Sequence, residues 1–363
     1  MPVLPTIDEL LGDALAARAS DVHLKAGLPP MFRIDGELAA APQPHLQPSD
    51  IDAFLGHLIP DRLQVEFKEH HEADFAYSDP SGNRYRVNAF SQRGQVTVAI
   101  RALRPPPGDF SALGLPSVLD RFAAEPRGLV LVTGPTGAGK STTLAAMVDA
   151  INRTRRVNII TIEDPVEMIH TDKMSMVSQR EVGVDTDGFS EALRRVLRQD
   201  PDVILVGEMR DQETIDAALK AAETGHLVLS SLHTLDATET INRIIDFFPA
   251  EAQRQVRLVL AGSLRGIVSQ RLLPSNGQGG GRVPAVEVLV NTERVAERIA
   301  DPAITHEIED VIADGAYYGM ETFDQSILRL VADGRVTFEN ALRHATNPAD
   351  LKLRAQQMGL VAT

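Results

Sequence analysis

The sequence contains no cysteine. That excludes disulfides, a thiol nucleophile and any zinc site built on cysteine. Positive charge is also in short supply: 36 Lys and Arg stand against 50 Asp and Glu, a formal net charge of −14. A general nucleic-acid binder carries a basic surface, so no nucleic-acid partner is expected. No apolar run approaches the ~20 residues of a membrane span, so direct membrane insertion is not expected either. The first residues, Met1-Pro-Val-Leu-Pro-Thr-Ile-Asp-Glu-Leu10, hold no basic stretch followed by an apolar core. A secretory signal is therefore not expected, and the expected location is the cytoplasm. Internal repeats and long low-complexity tracts are missing too. The bulk composition is ordinary for a globular protein: 363 residues, 43% hydrophobic and 24% charged, enough for two domains with real cores.

One stretch organises the rest. Gly134-Pro-Thr-Gly-Ala-Gly-Lys-Ser141 fits the phosphate-loop pattern G-x-x-x-x-G-K-[ST] at every fixed position. Its glycines let the backbone fold tightly, so that N–H groups converge on an anion. Lys140 supplies a compact positive charge beside the β- and γ-phosphates, and Ser141 a hydroxyl for Mg²⁺. The candidate nucleotide-binding residues are Gly134, Thr136, Gly137, Ala138, Gly139, Lys140, Ser141 and Thr142. Gly128-Leu-Val-Leu-Val-Thr133 before the loop reads as a buried strand, and Thr142-Thr-Leu-Ala-Ala-Met-Val-Asp-Ala-Ile151 after it as a helix. Strand, loop and helix are the context this motif needs.

Three more short apolar runs end in chemically useful groups. Val157-Asn-Ile-Ile-Thr-Ile162 leads to Glu163, Val203-Ile-Leu-Val206 to Glu208, and Leu227-Val-Leu-Ser-Ser-Leu232 to His233. Runs this short and apolar suit strands buried on both faces, as in a parallel sheet. Ligands of open α/β sheets sit at the carboxyl ends of the strands, which brings Glu163, Glu208 and His233 to the edge that holds Lys140. Two carboxylates there can divide the work: Glu208 to help hold Mg²⁺, Glu163 to orient or deprotonate a water. Taken singly, Glu163-Asp164-Pro165 also reads as an acidic turn, and His233 as a hydrogen-bonded core or cap histidine.

The N-terminal third reads differently. Helical patterns cover 5–19, 49–58 and 60–70, and a strand-rich meander runs from 74 to 102 with a turn at Arg93-Gly94. Tyr85, Val87 and Ala89 share one face, with Arg84, Arg86 and Asn88 on the other; Val96, Val98 and Ile100 oppose Arg101 in the same way. The arginine side is either a solvated outer face or an anion-contacting surface. Arg104-Pro-Pro-Pro-Gly108 is a stiff linker. Beyond the sheet, Ser190 is expected to cap a helix that ends before Pro201. Asp236 starts another helix, and a third runs through Val256 to Ile267. Asn276-Gly-Gln-Gly-Gly-Gly281 reads as a flexible hairpin loop before a strand at 284–290, and 292–360 as mainly helical.

The chain resembles the type IV pilus retraction ATPases, the PilT group of the type II/IV secretion ATPases, over nearly its whole length. The stretch from Ala19-Ser-Asp-Val-His-Leu24 to Gly36-Glu-Leu38 is similar to the family's opening signature. Thr161-Ile-Glu-Asp-Pro-Val-Glu167 resembles its Asp box. Asp202-Val-Ile-Leu-Val-Gly-Glu-Met-Arg-Asp211 resembles its Walker B region, and Gly225-His-Leu-Val-Leu-Ser-Ser-Leu-His-Thr-Leu-Asp236 its His box. The resemblance implies an α/β fold: a PAS-like α+β N-terminal domain (1–103), a Pro-rich linker (104–120), and a RecA-like P-loop ATPase domain with a helical C-terminal part (121–363). It further implies ATP and Mg²⁺ as cofactors, a ring homohexamer with nucleotide between the domains, and an inner-membrane pilus platform protein as partner. Hydrolysis would turn N-domains against ATPase domains. In this reading Glu163 acts on the water, Glu208 and Ser141 serve Mg²⁺, His233 senses the γ-phosphate, and Arg86 and Arg101 are drawn toward nucleotide.

Two departures bear on the role. The four-cysteine zinc motif of assembly and type II secretion relatives is absent, which favours the retraction branch. The family's late helix, close to A-I-R-N-L-I-R-E-G-K, corresponds to Glu307-Ile-Glu-Asp-Val-Ile-Ala-Asp-Gly315, with acidic or small residues in place of the arginines. A primary retraction motor and an accessory, secretion or assembly ATPase of the same fold therefore both stay open, with a non-hydrolysing ring scaffold as a third alternative.

Overall fold

The computed structural model describes residues 4–34, 36–103, 108–277 and 281–361. Residues 104–107 of the expected Pro-rich linker and the centre of the Gly-rich loop (278–280) lie outside the described residues. The chain divides into two compact units, Met1–Pro105 with Glu167–Ile169, and Pro106–Val166 with His170–Thr363.

The first unit is a six-stranded sheet with helices against one face. Strands β1 (Asp21–Lys25), β2 (Met31–Ile34), β3 (Glu37–Ala40), β4 (Glu72–Ser78), β5 (Arg84–Gln92) and β6 (Gln95–Ala102) lie in the order β3-β2-β1-β6-β5-β4, all pairs antiparallel. Helices α1 (Ile7–Ala16) and α2 (Pro48–Leu58) bring Leu10, Leu11, Ile51 and Phe54 to a core that includes Val22, Leu24, Val87, Ala89, Val98 and Ile100, and α3 (Asp61–His70) packs Leu63 and Phe67 against it. Alternation along β5 and β6 decides the other face: Arg86 lies opposite Arg101 across the ladder. The expected hairpin turn is there, with Arg93 and Gly94 both at positive φ.

The second unit is a seven-stranded sheet in the order β13-β12-β7-β11-β10-β8-β9. Its strands are β7 (Gly128–Thr133), β8 (Asn158–Glu163), β9 (Met176–Glu181), β10 (Val203–Val206), β11 (Leu227–Leu232), β12 (Leu264–Pro274) and β13 (Arg282–Val290). All ladders are parallel except the β12–β13 hairpin. Around it run α4 (Val118–Ala124), α5 (Lys140–Thr154), α6 (Phe189–Val196), α7 (Gln212–Glu223), α8 (Ala237–Asp246), α9 (Ala250–Ser263), α10 (Glu293–Ala300) and α11 (Ile308–Ala313). Every residue of β7, β10 and β11 is buried, as strands covered on both faces must be. Helices α12 (Phe323–Ala332), α13 (Phe338–His344) and α14 (Pro348–Gln357) form a separate apolar cluster with Leu273, Val283 and Ala285 of the hairpin.

Three local expectations are corrected. The helix expected to run to Ile267 stops at Ser263, and Leu264 opens a strand. Apolar periodicity is ambiguous here; β12 is drawn into the sheet by pairing with β7 and β13. Gly266 belongs to that packing, since a Cβ there would sit 2.1 Å from the Phe122 ring. Ser190 does not cap α6; Gly188 holds the cap position and Ser190 lies in the first turn. The 307–315 stretch is not one helix but a 3₁₀ turn (Thr305–Glu307), the six residues of α11, and a second 3₁₀ turn from Gly315. Glu307 there pairs with Arg298 at 2.9 Å.

Glu287 on β13 carries a prediction about stability. It is 7% exposed, faces a cleft of about 560 Å³ whose rim includes Asp236, Glu239 and Glu309, and accepts the Ala237 N–H at 2.8 Å. Burial, reinforced by Asp236 and Glu309, pushes its carboxyl up to about 7 from 4.5, against the Ala237 hydrogen bond. Between those values the unfolded chain has released a proton that the folded chain keeps, so stability falls as pH rises through this window. Glu287→Gln keeps an acceptor for Ala237 and removes the buried charge. It is expected to stabilise the protein by about 2–3 kcal/mol at pH 8 and by little at pH 4.5. Melting curves at both values test this; an equal gain at each would show that the charge is not the cause.

Candidate active site

The phosphate loop is formed by the junction of β7 and α5. Gly134, Gly137 and Gly139 adopt φ of 141°, 80° and 95°, conformations that side chains disfavour. They turn the chain so that α5 begins at Lys140, with the positive end of its dipole at the loop. Lys140 is 9% exposed and donates to the carbonyls of Gly134 (2.9 Å) and Pro135 (3.2 Å). Thr136, Gly137 and Ser141 are exposed, Thr142 is half-buried and Ala138 is buried. Buried polar contacts tie the loop to β12: Gln270 Nε2 donates to Thr143 Oγ1 (2.8 Å) and Thr133 Oγ1 to Ser269 Oγ (3.0 Å).

Strand register brings the acids to this edge. Val206 of β10 lies level with Ile162 of β8 and Ser230 of β11, and Leu232 with Thr133 of β7. The next residues in each strand are therefore neighbours: Glu163, Gly207-Glu208, His233 and Gly134. The approach of β10 to β8 uses Gly207, whose N–H donates to the Ile162 carbonyl at 2.8 Å. A Cβ there would lie 3.3 Å from that oxygen.

Glu208 is largely enclosed, with 14% of its side chain exposed. Its Oε2 lies 3.1 Å from His233 Nε2, and its Oε1 pairs with Arg210. Glu163, half-buried, accepts at Oε1 from Thr161 Oγ1 (2.7 Å) and Gln179 Nε2 (3.0 Å). Such a carboxylate is ordered yet within reach of solvent, as a group that handles water must be. Glu208 and the Ser141 hydroxyl are hard oxygen donors suited to Mg²⁺, which takes one or two protein oxygens besides phosphates and water. Among the described residues no cluster of three or more His, Asp or Glu is arranged as a metal cage.

Arg86 and Arg101 stand on the outer face of the first unit, with side chains 48% and 68% exposed. Arg101 donates to Asp21 Oδ1 at 2.8 Å, and Arg86 lies 3.7 Å from Asp74. Burial of Asp21 works against ionisation, but hydrogen bonds from Ser20 and Arg101 win and hold its carboxyl below the usual range.

The family model described as "Type II/IV secretion system protein" matches residues 1–343. The chain belongs to this family. It is 46% identical over 342 residues to the type IV pilus retraction ATPase PilT of Pseudomonas aeruginosa, covering 94% of this chain and 98% of that one. To the type IV pilus ATPase PilU of the same organism it is 40% identical, covering 95% and 90%. The crystal structure of the pilus retraction motor PilT with bound ADP superposes with a TM-score of 0.89 at 42% identity, over 96% of this chain and 99% of that one. This member of the type II/IV secretion family is thus a nucleotide-binding ATPase with a RecA-like fold and an N-terminal domain, in the pilus-retraction group.

Two residues at the site were not anticipated. Arg210 stands inside the Walker B stretch, but its contact with Glu208 depends on how the chain turns after Gly207. Gln179 lies on β9, an edge strand of mixed polarity, Met-Val-Ser-Gln-Arg-Glu, whose half-exposed pattern offers no clear strand signal.

Proposed function

We propose that this chain is an ATP-driven motor for type IV pilus retraction. The reading is carried by the meeting of Lys140, Glu163, Glu208 and His233 at one sheet edge in a chain 46% identical, nearly end to end, to a pilus retraction ATPase. The nucleotide phosphates lie on the loop N–H groups from Gly134 to Thr142, and Lys140 exchanges its loop carbonyls for phosphate oxygens. Ser141 and Glu208 would hold Mg²⁺, Glu208 partly through water, and a cation there would supply positive charge for the phosphates. Glu163 orients the attacking water and takes its proton. His233, linked to Glu208, reports the γ-phosphate.

Arg86 and Arg101 add positive charge to the nucleotide in an assembled ring. Arg101→Ala is expected to lower ATP turnover while leaving nucleotide binding largely intact; unchanged turnover in a confirmed hexamer would leave Arg101 as surface charge. The ring is a homohexamer acting at the cytoplasmic side of the inner membrane on a pilus platform protein, with N-domains rotating against ATPase domains. Light scattering tests the assembly, since a monomer at working concentration with ATP contradicts the ring.

The decisive experiment counts pili in a strain lacking this protein, complemented with wild type or Glu163→Gln. Excess, non-retracting pili rescued only by wild type are expected. Bald cells would mean an assembly role. Normal pili would favour the second reading, an accessory or secretion ATPase, for which the acidic 307–315 stretch is the supporting observation.

A further inference from the structure

We infer that Gln179 is a positioning residue that fixes the plane of the Glu163 carboxylate. The inference rests on the reading of Glu163 as the group that handles water. In the parallel β8–β9 ladder Gln179 lies beside Thr161, and Glu163 is two residues beyond Thr161 on the same side of its strand. Thr161 Oγ1 and Gln179 Nε2 both donate to Glu163 Oε1, at 2.7 and 3.0 Å. The amide cannot turn over freely, because its other end is engaged: Gln179 Oε1 accepts the His170 backbone N–H at 2.8 Å. An N–H group meets only the oxygen of the amide, so the NH₂ end is held toward Glu163.

The segment that supplies this N–H is itself tied down. Asn152 of α5 is fully buried; its Nδ2 donates to the Thr171 carbonyl (2.8 Å) and its Oδ1 accepts the Lys173 N–H (3.0 Å). The chain at 170–173 is thus fastened to the helix that begins at the phosphate loop. A connected path leads from α5 through 170–173 and Gln179 to the carboxylate.

Such a device has one consequence. A carboxylate whose plane is set by two donors presents its second oxygen in one direction, and misplacement of a catalytic group by about 1 Å costs on the order of 10²-fold in rate. The effect falls on turnover rather than on nucleotide affinity.

The test compares steady-state ATP turnover in purified full-length wild type, Gln179→Leu, Gln179→Glu, Glu163→Gln, and the double variant Glu163→Gln/Gln179→Leu. Gln179→Leu is expected to lower kcat roughly tenfold to a hundredfold, with KM for ATP within about twofold. Gln179→Glu still accepts the His170 N–H but replaces the donor to Glu163 with a like charge, so its kcat falls at least as far. It also serves if the leucine variant does not fold. The double variant is expected to be no slower than Glu163→Gln alone, because Gln179 acts through Glu163. Unchanged kcat in both Gln179 variants overturns the inference, as does a double variant slowed by the product of the single effects. Wild-type turnover in Glu163→Gln overturns the water-handling reading itself, a distinct result that removes the inference with it.

Discussion

Glu163→Gln is expected to bind ATP as wild type does and to lose hydrolysis by about 10²- to 10⁴-fold, the range a positioned general base contributes. The substitution is nearly isosteric. The glutamine carbonyl keeps both donors now on Oε1, Thr161 Oγ1 and Gln179 Nε2, so the strand end and the fold should survive. Its amide nitrogen then replaces Oε2, and an amide nitrogen, its lone pair delocalised into the carbonyl, cannot take a proton from water. The phosphate loop belongs to β7 and α5, away from the substitution in sequence, so affinity should hold. Titration with a fluorescent ATP analogue and single-turnover hydrolysis separate the two quantities. Residual turnover equal to wild type would reassign the base, with Glu208 at the same strand edge as the alternative carboxylate.

Gly134→Ala is expected to abolish nucleotide binding and to lower the melting temperature, and the cause is steric rather than chemical. A Cβ at this position would lie 2.4 Å from the Gln270 carbonyl oxygen, at a backbone φ of 141°. Gln270 belongs to β12, which is paired on both edges by β7 and β13 and cannot retreat. The strained backbone costs about 1–3 kcal/mol and the clash a similar amount, so the loop must open or the strands must part. Gly137 is the control. Its φ is also positive, 80°, but nothing lies within 4 Å of the added Cβ. Gly137→Ala should therefore cost only about 1–2 kcal/mol and leave measurable binding. Equal losses at the two positions would mean that conformation, and not the approach of β12, controls the loop.

Much of the site was legible because its chemistry sits at strand ends. A short, wholly apolar run is read easily, and in an open α/β sheet the residue after such a run faces the ligand edge. That reasoning brought the candidates Glu163, Glu208 and His233 to the edge that holds Lys140 of the phosphate loop, and the register of β7, β8, β10 and β11 sets those strand ends side by side. The alternation of Tyr85, Val87 and Ala89 against Arg84, Arg86 and Asn88 was equally readable, since a sheet with one buried face enforces a period of two. Caps and helix limits were less so. Asp236 caps α8 as its type and position suggest, whereas Ser190 lost the cap of α6 to Gly188. A cap is chosen by where the chain enters the helix, and that is set by the preceding loop.

The phosphate loop, the apolar strands, the acids at their ends and the arginine face of the N-terminal sheet are all written in short windows of the chain. Each is local: a glycine pattern, a run of apolar residues, an alternation. Three other features exist only in the folded molecule. Leu264 begins a strand, Arg210 meets Glu208, and Gln179 reaches Glu163 from a neighbouring edge strand. The Arg210 contact depends on the turn after Gly207; one cause underlies the other two. Pairing across a sheet joins residues far apart in the chain, and the energy that selects one partner over another comes from packing the whole sheet, which no short window of sequence contains.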